Sequence, residues 1–164
     1  MLAYQVPANG VKIWMNHLLR ETTFDAFEVR GVSVVGVTRL DLDGVRYPPG
    51  PANPPAAAAE VSADHEKEAR AYCSWGMLRE DVFHFIRGRQ RPRTMKIVFA
   101  YPQRALAAIH GNAAALFLNV AFENDCLICT TAVSQKTFTL DKAVDGAWDG
   151  HVEEWLRKIG LPLA

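Results

Sequence analysis

Pro48 to Ala59 reads PPGPANPPAAAA, five prolines in twelve residues without one charged side chain. Proline lacks a backbone N–H and holds φ fixed, so this stretch neither pairs inside a sheet nor presents a periodic apolar face. It reads as a linker or exposed loop over about residues 48–60. The folded elements must come from the chain on either side of it. With 164 residues, 49% apolar and 22% charged, those flanks have enough apolar material for one soluble globular domain spanning residues 1–164.

The first flank opens with a short strand near Tyr4 to Val6. Asn9 follows as a helix cap, and Val11, Trp14, Met15, Leu18 and Leu19 trace one helical face. Glu28 to Leu42 is rich in Val and Thr and meets Asp43-Gly44 before Val45-Arg46-Tyr47, the pattern of a hairpin with a two-residue turn. Asp41-Leu42-Asp43-Gly44 also opens like a cation-binding loop. The oxygen ligands such a loop needs downstream are replaced by Val45, Arg46 and prolines, so the turn accounts for it better.

In the second flank, Glu66 to Cys73 reads as a strand or short helix and Ser74 as a cap. Leu78, Val82, Phe85 and Ile86 mark a helix that ends at Gly88. Thr94 to Tyr101 reads as a strand, and Ala114 to Glu123 with Cys126 to Ser134 as a hairpin about Asn124-Asp125. The uncharged run from Ala105 to Phe122 is broken by His110, Gly111, Asn112 and Asn119, so it reads as loop plus buried strand rather than a membrane span. A closing helix carries Val144, Trp148, Val152, Trp155 and Ile159 on one face, with Gly160 and Pro162 as stops. These elements predict an α+β fold: a mainly antiparallel sheet with amphipathic helices, two strand-helix-three-strand units in succession, and a C-terminal helix.

Charge is balanced overall, 18 cations against 18 carboxylates, so whole-molecule electrostatics drives the chain toward neither nucleic acid nor an anionic membrane. Within that balance, residues 87–96 read RGRQRPRTMK, five cations and no carboxylate. In an extended segment Arg87, Arg89, Arg91 and Arg93 project to one side, a fork array suited to phosphate or carboxylate, with Lys96 beyond. The plainer reading is that Gly88 ends a helix and the cations complement its dipole. Along the last helix, Asp141, Asp145, Asp149 and Glu153 recur every fourth residue, a repulsive spacing that predicts a positive partner. The arginine run is one candidate for that partner.

Other chemistry thins out. Cys126 and Cys129 have C-x-x-C spacing, but in a strand residues three apart point to opposite faces, and no second ligand pair completes a metal site. The five histidines are scattered, and neither a nucleophile elbow nor a phosphate loop occurs. The sequence therefore offers no catalytic motif, metal site or cofactor, and leaves open whether the chain is an enzyme. Three cysteines, an odd number, fit a reducing cytoplasm.

Trp75, Ile86-Arg87-Gly88-Arg89 with Pro92, Leu118-Asn119, Thr130-Thr131 with Ser134 and Phe138, and Trp148-Asp149 resemble an uncharacterised family of small bacterial proteins, a domain of unknown function. The resemblance implies a bacterial cytoplasmic domain and carries over no catalytic residue. A looser, architectural likeness is to one domain of a DNA sliding clamp, which shares the repeated strand-helix-three-strand order. The expectation is a non-enzymatic binding or adaptor domain. Its basic segment of Arg87, Arg89, Arg91, Arg93 and Lys96 would contact an anionic partner, either nucleic acid or an acidic protein surface. The alternative is a small enzyme or ligand-binding domain for a phosphorylated or carboxylated small molecule, in which Asn119, Thr131 or Ser134 would converge with an arginine.

Overall fold

A computed structural model describes residues 1–47, 72–88, 91–161 and 163. The proline-rich segment, most of the Glu66 to Cys73 stretch, Arg89 and Pro162 lie outside the described residues. The elements in chain order are β1 (Ala3–Gln5), α1 (Val11–Leu19), β2 (Glu28–Val35), β3 (Arg39–Leu42), α2 (Trp75–Ile86), β4 (Thr94–Ala100), α3 (Leu106–Ile109), β5 (Ala113–Glu123), β6 (Cys126–Gln135) and α4 (Ala143–Lys158). All six strands join one antiparallel sheet in the order β1-β6-β5-β4-β2-β3. The fold is α+β, mainly sheet, and it ends in a helix as the periodicity indicates.

Strand register sorts the side chains into rows across the sheet. One inward row runs Leu42, Val32, Ile97, Val120, Cys129, Tyr4; its neighbour runs Leu40, Val34, Met95, Phe122, Leu127. These positions are almost wholly buried apart from Leu40, Leu42 and Tyr4, which are half-buried. The helices lie against this face. Phe24 links them to the sheet, with its ring 6.0 Å from Trp14 of α1, 5.2 Å from Phe99 of β4 and 5.3 Å from Trp155 of α4. Trp75 of α2 meets Phe99 edge-on at 5.4 Å and donates its indole N–H to the Leu18 carbonyl at 2.7 Å, so this fully buried indole leaves no polar atom unmet.

The outward rows are mostly small or polar: Asp41, Ser33, Lys96, Ala121, Ile128, Gln5 in one and Val98, Asn119, Thr130, Ala3 in the next. They are half-buried or exposed, and the described helices all sit on the other side.

The first hairpin differs from expectation. Its turn is at Gly36 to Thr38, where the Gly36 N–H donates to the Thr38 carbonyl at 2.9 Å, and not at Asp43-Gly44. Val37 and Thr38 have strand-forming side chains, which hid a turn bearing a single glycine. Asp43 instead closes an Asx turn, accepting from the Val45 N–H at 2.9 Å. Gly44 takes φ +75° and crosses so close to β2 that a Cβ there would lie 2.0 Å from the Val29 oxygen. Val45 and Tyr72 then form a single-residue bridge, so the strand expected over Val45-Arg46-Tyr47 shrinks to a bridge position.

Asn9 sits in a short 3-10 turn rather than capping α1, which begins after Gly10 without a side-chain cap. Ser74 precedes α2 without a capping hydrogen bond either. Asn124 and Asp125 do form the second hairpin turn, with φ of 51° and 61° as a two-residue turn of this hand requires.

Candidate functional site

The basic run is divided by the fold. α2 ends at Ile86, Arg87 leaves the helix with ψ 133°, and Gly88 reverses the chain at φ +72°. Arg87 thus stands at the C-terminal end of a helix, where a cation complements the exposed carbonyls. It lines a concavity of about 650 Å³ with Leu40, Leu42, Leu78, Asp81, His84 and Phe85.

Arg91 and Arg93 lie at the start of β4, beside the Asn124-Asp125 turn, and share a concavity of about 460 Å³. Arg91 reaches Asp125 at 2.8 Å, with its guanidinium 5.5 Å over the Phe122 ring. Both ends of that pair are largely exposed, so it contributes at most about 1 kcal/mol. The Arg93 backbone N–H donates to Val35 at 2.8 Å, which ties the segment to the end of β2 and leaves the side chain in solvent. Lys96 projects from β4 onto the outward face, in a third concavity with Ser33, Asp41 and Asp43. Among the described residues, Arg87, Arg93 and Lys96 are exposed and make no ion pair. Arg89 lies outside the described residues.

The acidic stripe of α4 is occupied elsewhere. Asp141 accepts from the Ala143 N–H at 3.0 Å at the start of the helix. Asp145 and Asp149 hold the Met1 amino group, each at 3.2 Å. Asp149 accepts from the Thr131 hydroxyl, itself the acceptor for the Leu2 N–H at 2.9 Å. Glu153 accepts from the Tyr4 hydroxyl at 2.7 Å. Burial and that carboxylate both raise the Tyr4 pKa, burial being the larger cause. The positive partner is thus an amino group on the edge strand's side of the sheet, and the stripe clamps β1 and β6 to α4. Thr131 is the one wholly buried polar side chain among the described residues. Its inward position in the alternation Leu127, Cys129, Thr131, Val133, opposite an acidic helix, is the sequence signal that would have located this network.

Asn119, Thr131 and Ser134 do not converge: Thr131 points inward, and the other two lie on outward positions of β5 and β6. Cys126 is exposed and Cys129 buried, on opposite faces as strand geometry requires, and burial pushes the Cys129 thiol up to about 12. Among the described residues no three His, Cys, Asp or Glu side chains gather to hold a metal ion. His151 lies between the rings of Trp148 at 5.6 Å and Tyr101 at 5.4 Å, and burial lowers its pKa. One pair that sequence reasoning missed is Arg79 with Asp25: the guanidinium meets the carboxylate at 2.9 and 3.3 Å and the Arg20 carbonyl at 3.2 Å, tying the loop after α1 to α2.

No described helix is long and apolar enough to cross a membrane. No curated protein and no solved structure matches the chain. A family of unknown function, DUF5721, matches residues 17–163, nearly all of the fold and everything from the end of α1 to the close of α4. The chain belongs to that family.

Proposed function

We propose that this chain is a non-enzymatic binding domain that engages an anionic polymer at the start of β4. One observation carries the reading: Arg93, just before β4, and Lys96 on it are exposed and make no ion pair among the described residues, beside an Arg91 held only by an exposed pair. Strand alternation puts positions three apart on opposite sides, so a polyanion that reaches both crosses the end of the sheet where β4 begins instead of lying along one face. The failure of Asn119, Thr131 and Ser134 to converge with an arginine favours this reading over a small-molecule site. A cytoplasmic setting accords with three free cysteines.

The test is fluorescence-anisotropy titration with a labelled single-stranded oligonucleotide and, separately, a labelled polyglutamate peptide. Wild type is compared with an Arg93→Glu, Lys96→Glu variant at several salt concentrations. Salt-sensitive binding that the variant loses supports the reading, and the tighter probe identifies the partner class. Equal binding by the variant, or none by wild type at low salt, removes it.

A further inference from the structure

β6 is longer than the strand that flanks it on the side away from β5. β1 pairs with it from Ile128 to Thr130, and beyond that the Thr131 N–H donates to the Leu2 carbonyl at 3.0 Å. β6 runs on to Gln135, paired throughout with β5. Backbone groups of successive residues in a strand turn alternately to its two neighbours. Here the Thr131 N–H turns to β1, and the Lys136 N–H turns to the Asn112 carbonyl beside β5, at 2.9 Å. The Val133 N–H and carbonyl and the Gln135 N–H therefore turn away from β5, to a side where no described strand lies beside them. Unpaired edge groups of this kind form a template for one more extended strand.

Val133 and Gln135 also line a concavity of about 500 Å³, whose other wall is the loop between β6 and α4, reading KTFTLDK over residues 136–142. Phe138 and Leu140 of that loop are 83% and 87% exposed. The backbone that carries them is pinned. Asn112 donates from Nδ2 to the Thr137 carbonyl at 2.9 Å and accepts the Thr137 N–H on Oδ1 at 3.0 Å, and Gln135 accepts the Thr139 N–H at 3.0 Å. An ordered backbone thus holds two large apolar side chains in water beside an open strand edge, an arrangement that marks an interaction site. Charge on the wall balances: Asp145 is taken up by the Met1 amino group at 3.2 Å, and Asp141 and Lys142 offset each other. Uncharged side chains suit it.

We propose that Val133 to Gln135 of β6 takes an extended peptide of another protein as an added strand, with uncharged apolar side chains at alternate positions packed on Phe138 and Leu140. The unmet backbone groups choose an extended polypeptide over other ligands, because their donors and acceptor lie in the plane of the sheet. Period-two alternation then turns every second side chain of the peptide to the side on which Val133 and Gln135 line the concavity. This contact is separate from the one at the start of β4. Thr94 pairs with Glu123 and Glu123 with Cys126, so that end of the sheet lies nine residues along β6 from Gln135, about 30 Å.

The experiment is anisotropy titration of the full chain into a fluorescein-labelled peptide of alternating threonine and valine, about six residues long, the usual length of a strand. Two further peptides carry backbone N-methyl groups, one at its valines and the other at its threonines. Only one of these sets faces β6 in an added strand. One methylated peptide should therefore bind about tenfold or more weakly, the loss of one or two backbone hydrogen bonds, while the other binds like the parent. This readout needs no protein variant. A Phe138→Asp, Leu140→Asp variant, changed only at exposed positions, should keep its melting curve and lose the peptide. The Arg93→Glu, Lys96→Glu variant should bind the peptide like wild type, so either site can fail without the other. The proposal is overturned by a wild type that binds no peptide, by methylation that weakens both peptides equally or neither, or by a loop variant that binds like wild type. Self-association that the peptide reverses would place a second copy on the edge and would overturn it too.

Discussion

Replacing Gly44 with alanine separates two costs that are usually tangled. The residue sits at φ +75°, and an added Cβ would lie 2.0 Å from the Val29 carbonyl oxygen and 2.7 Å from its carbon. The left-handed backbone alone costs an alanine about 1 kcal/mol. Contacts that short force the Asp43 to Val45 segment off β2, straining the Cys73 N–H bond to the Gly44 carbonyl at 2.8 Å and the Val45-Tyr72 bridge. Overpacking of that kind adds about 1–3 kcal/mol. The sum is about 3 kcal/mol, or about 6–12 °C in Tm for a chain of this size. Gly88 is the internal control: it has φ +72° with nothing within 4 Å of its Cβ position, so Gly88→Ala should lose only the backbone share, about 1 kcal/mol. Urea and thermal melts of both variants give the difference. If Gly44→Ala costs no more than Gly88→Ala, the close approach to Val29 is wrong, and with it the placement of the first hairpin turn at Gly36 to Thr38.

Trp75→Phe removes the indole donor to the Leu18 carbonyl inside the core and should cost about 2–3 kcal/mol, seen as a lower urea midpoint at unchanged slope. His151, with its folded-state pKa lowered by burial between Trp148 and Tyr101, should titrate by NMR below 6.5. The unfolded chain then binds more protons than the folded one as pH falls through 6.5. The stability due to this residue is therefore complete above 6.5 and declines on acidification, and His151→Phe should flatten that part of the pH profile. Asp125→Gly relieves the φ of 61° but loses the exposed pair with Arg91, so stability should change by less than about 1 kcal/mol. The freed Arg91 should tighten oligonucleotide binding in the anisotropy assay.

What the sequence made legible follows from where periodicity is strong. α4 carries four buried residues at helical spacing, Val144, Trp148, Val152 and Leu156. β5 and β6 alternate over ten residues or more around a turn whose Asn-Asp pair tolerates positive φ, and both elements fall within a residue or two of expectation. The β2-β3 turn was hidden because an Asp-Gly pair nearby is a stronger signal than Val-Gly-Val-Thr, and only the tertiary contact with Val29 explains why Gly44 is glycine. The short α3 was missed inside an alanine-rich run that has no room for a repeating face.

For the candidate site, the arginine spacing of two residues invited an extended comb. The helix ends at Ile86 and Gly88 turns the chain, which puts Arg87 in one concavity and Arg91 with Arg93 in another. Similarly, the four carboxylates of the stripe stood out by their spacing, but the partners of Asp145, Asp149 and Glu153, namely the Met1 amino group, Thr131 and Tyr4, are more than fifteen residues away along the chain, beyond the reach of any local pattern.

The central claim is that an anionic polymer meets this chain at the start of β4. Titrating the isotopically labelled protein with a short single-stranded oligonucleotide at low salt, and following backbone amide shifts, locates the contact directly. The account predicts movement at Arg91, Arg93, Thr94, Lys96 and the Asn124-Asp125 turn, fading as salt is raised. Shifts confined to α4 or the β6-α4 loop, or a spectrum that does not move at all, would contradict it.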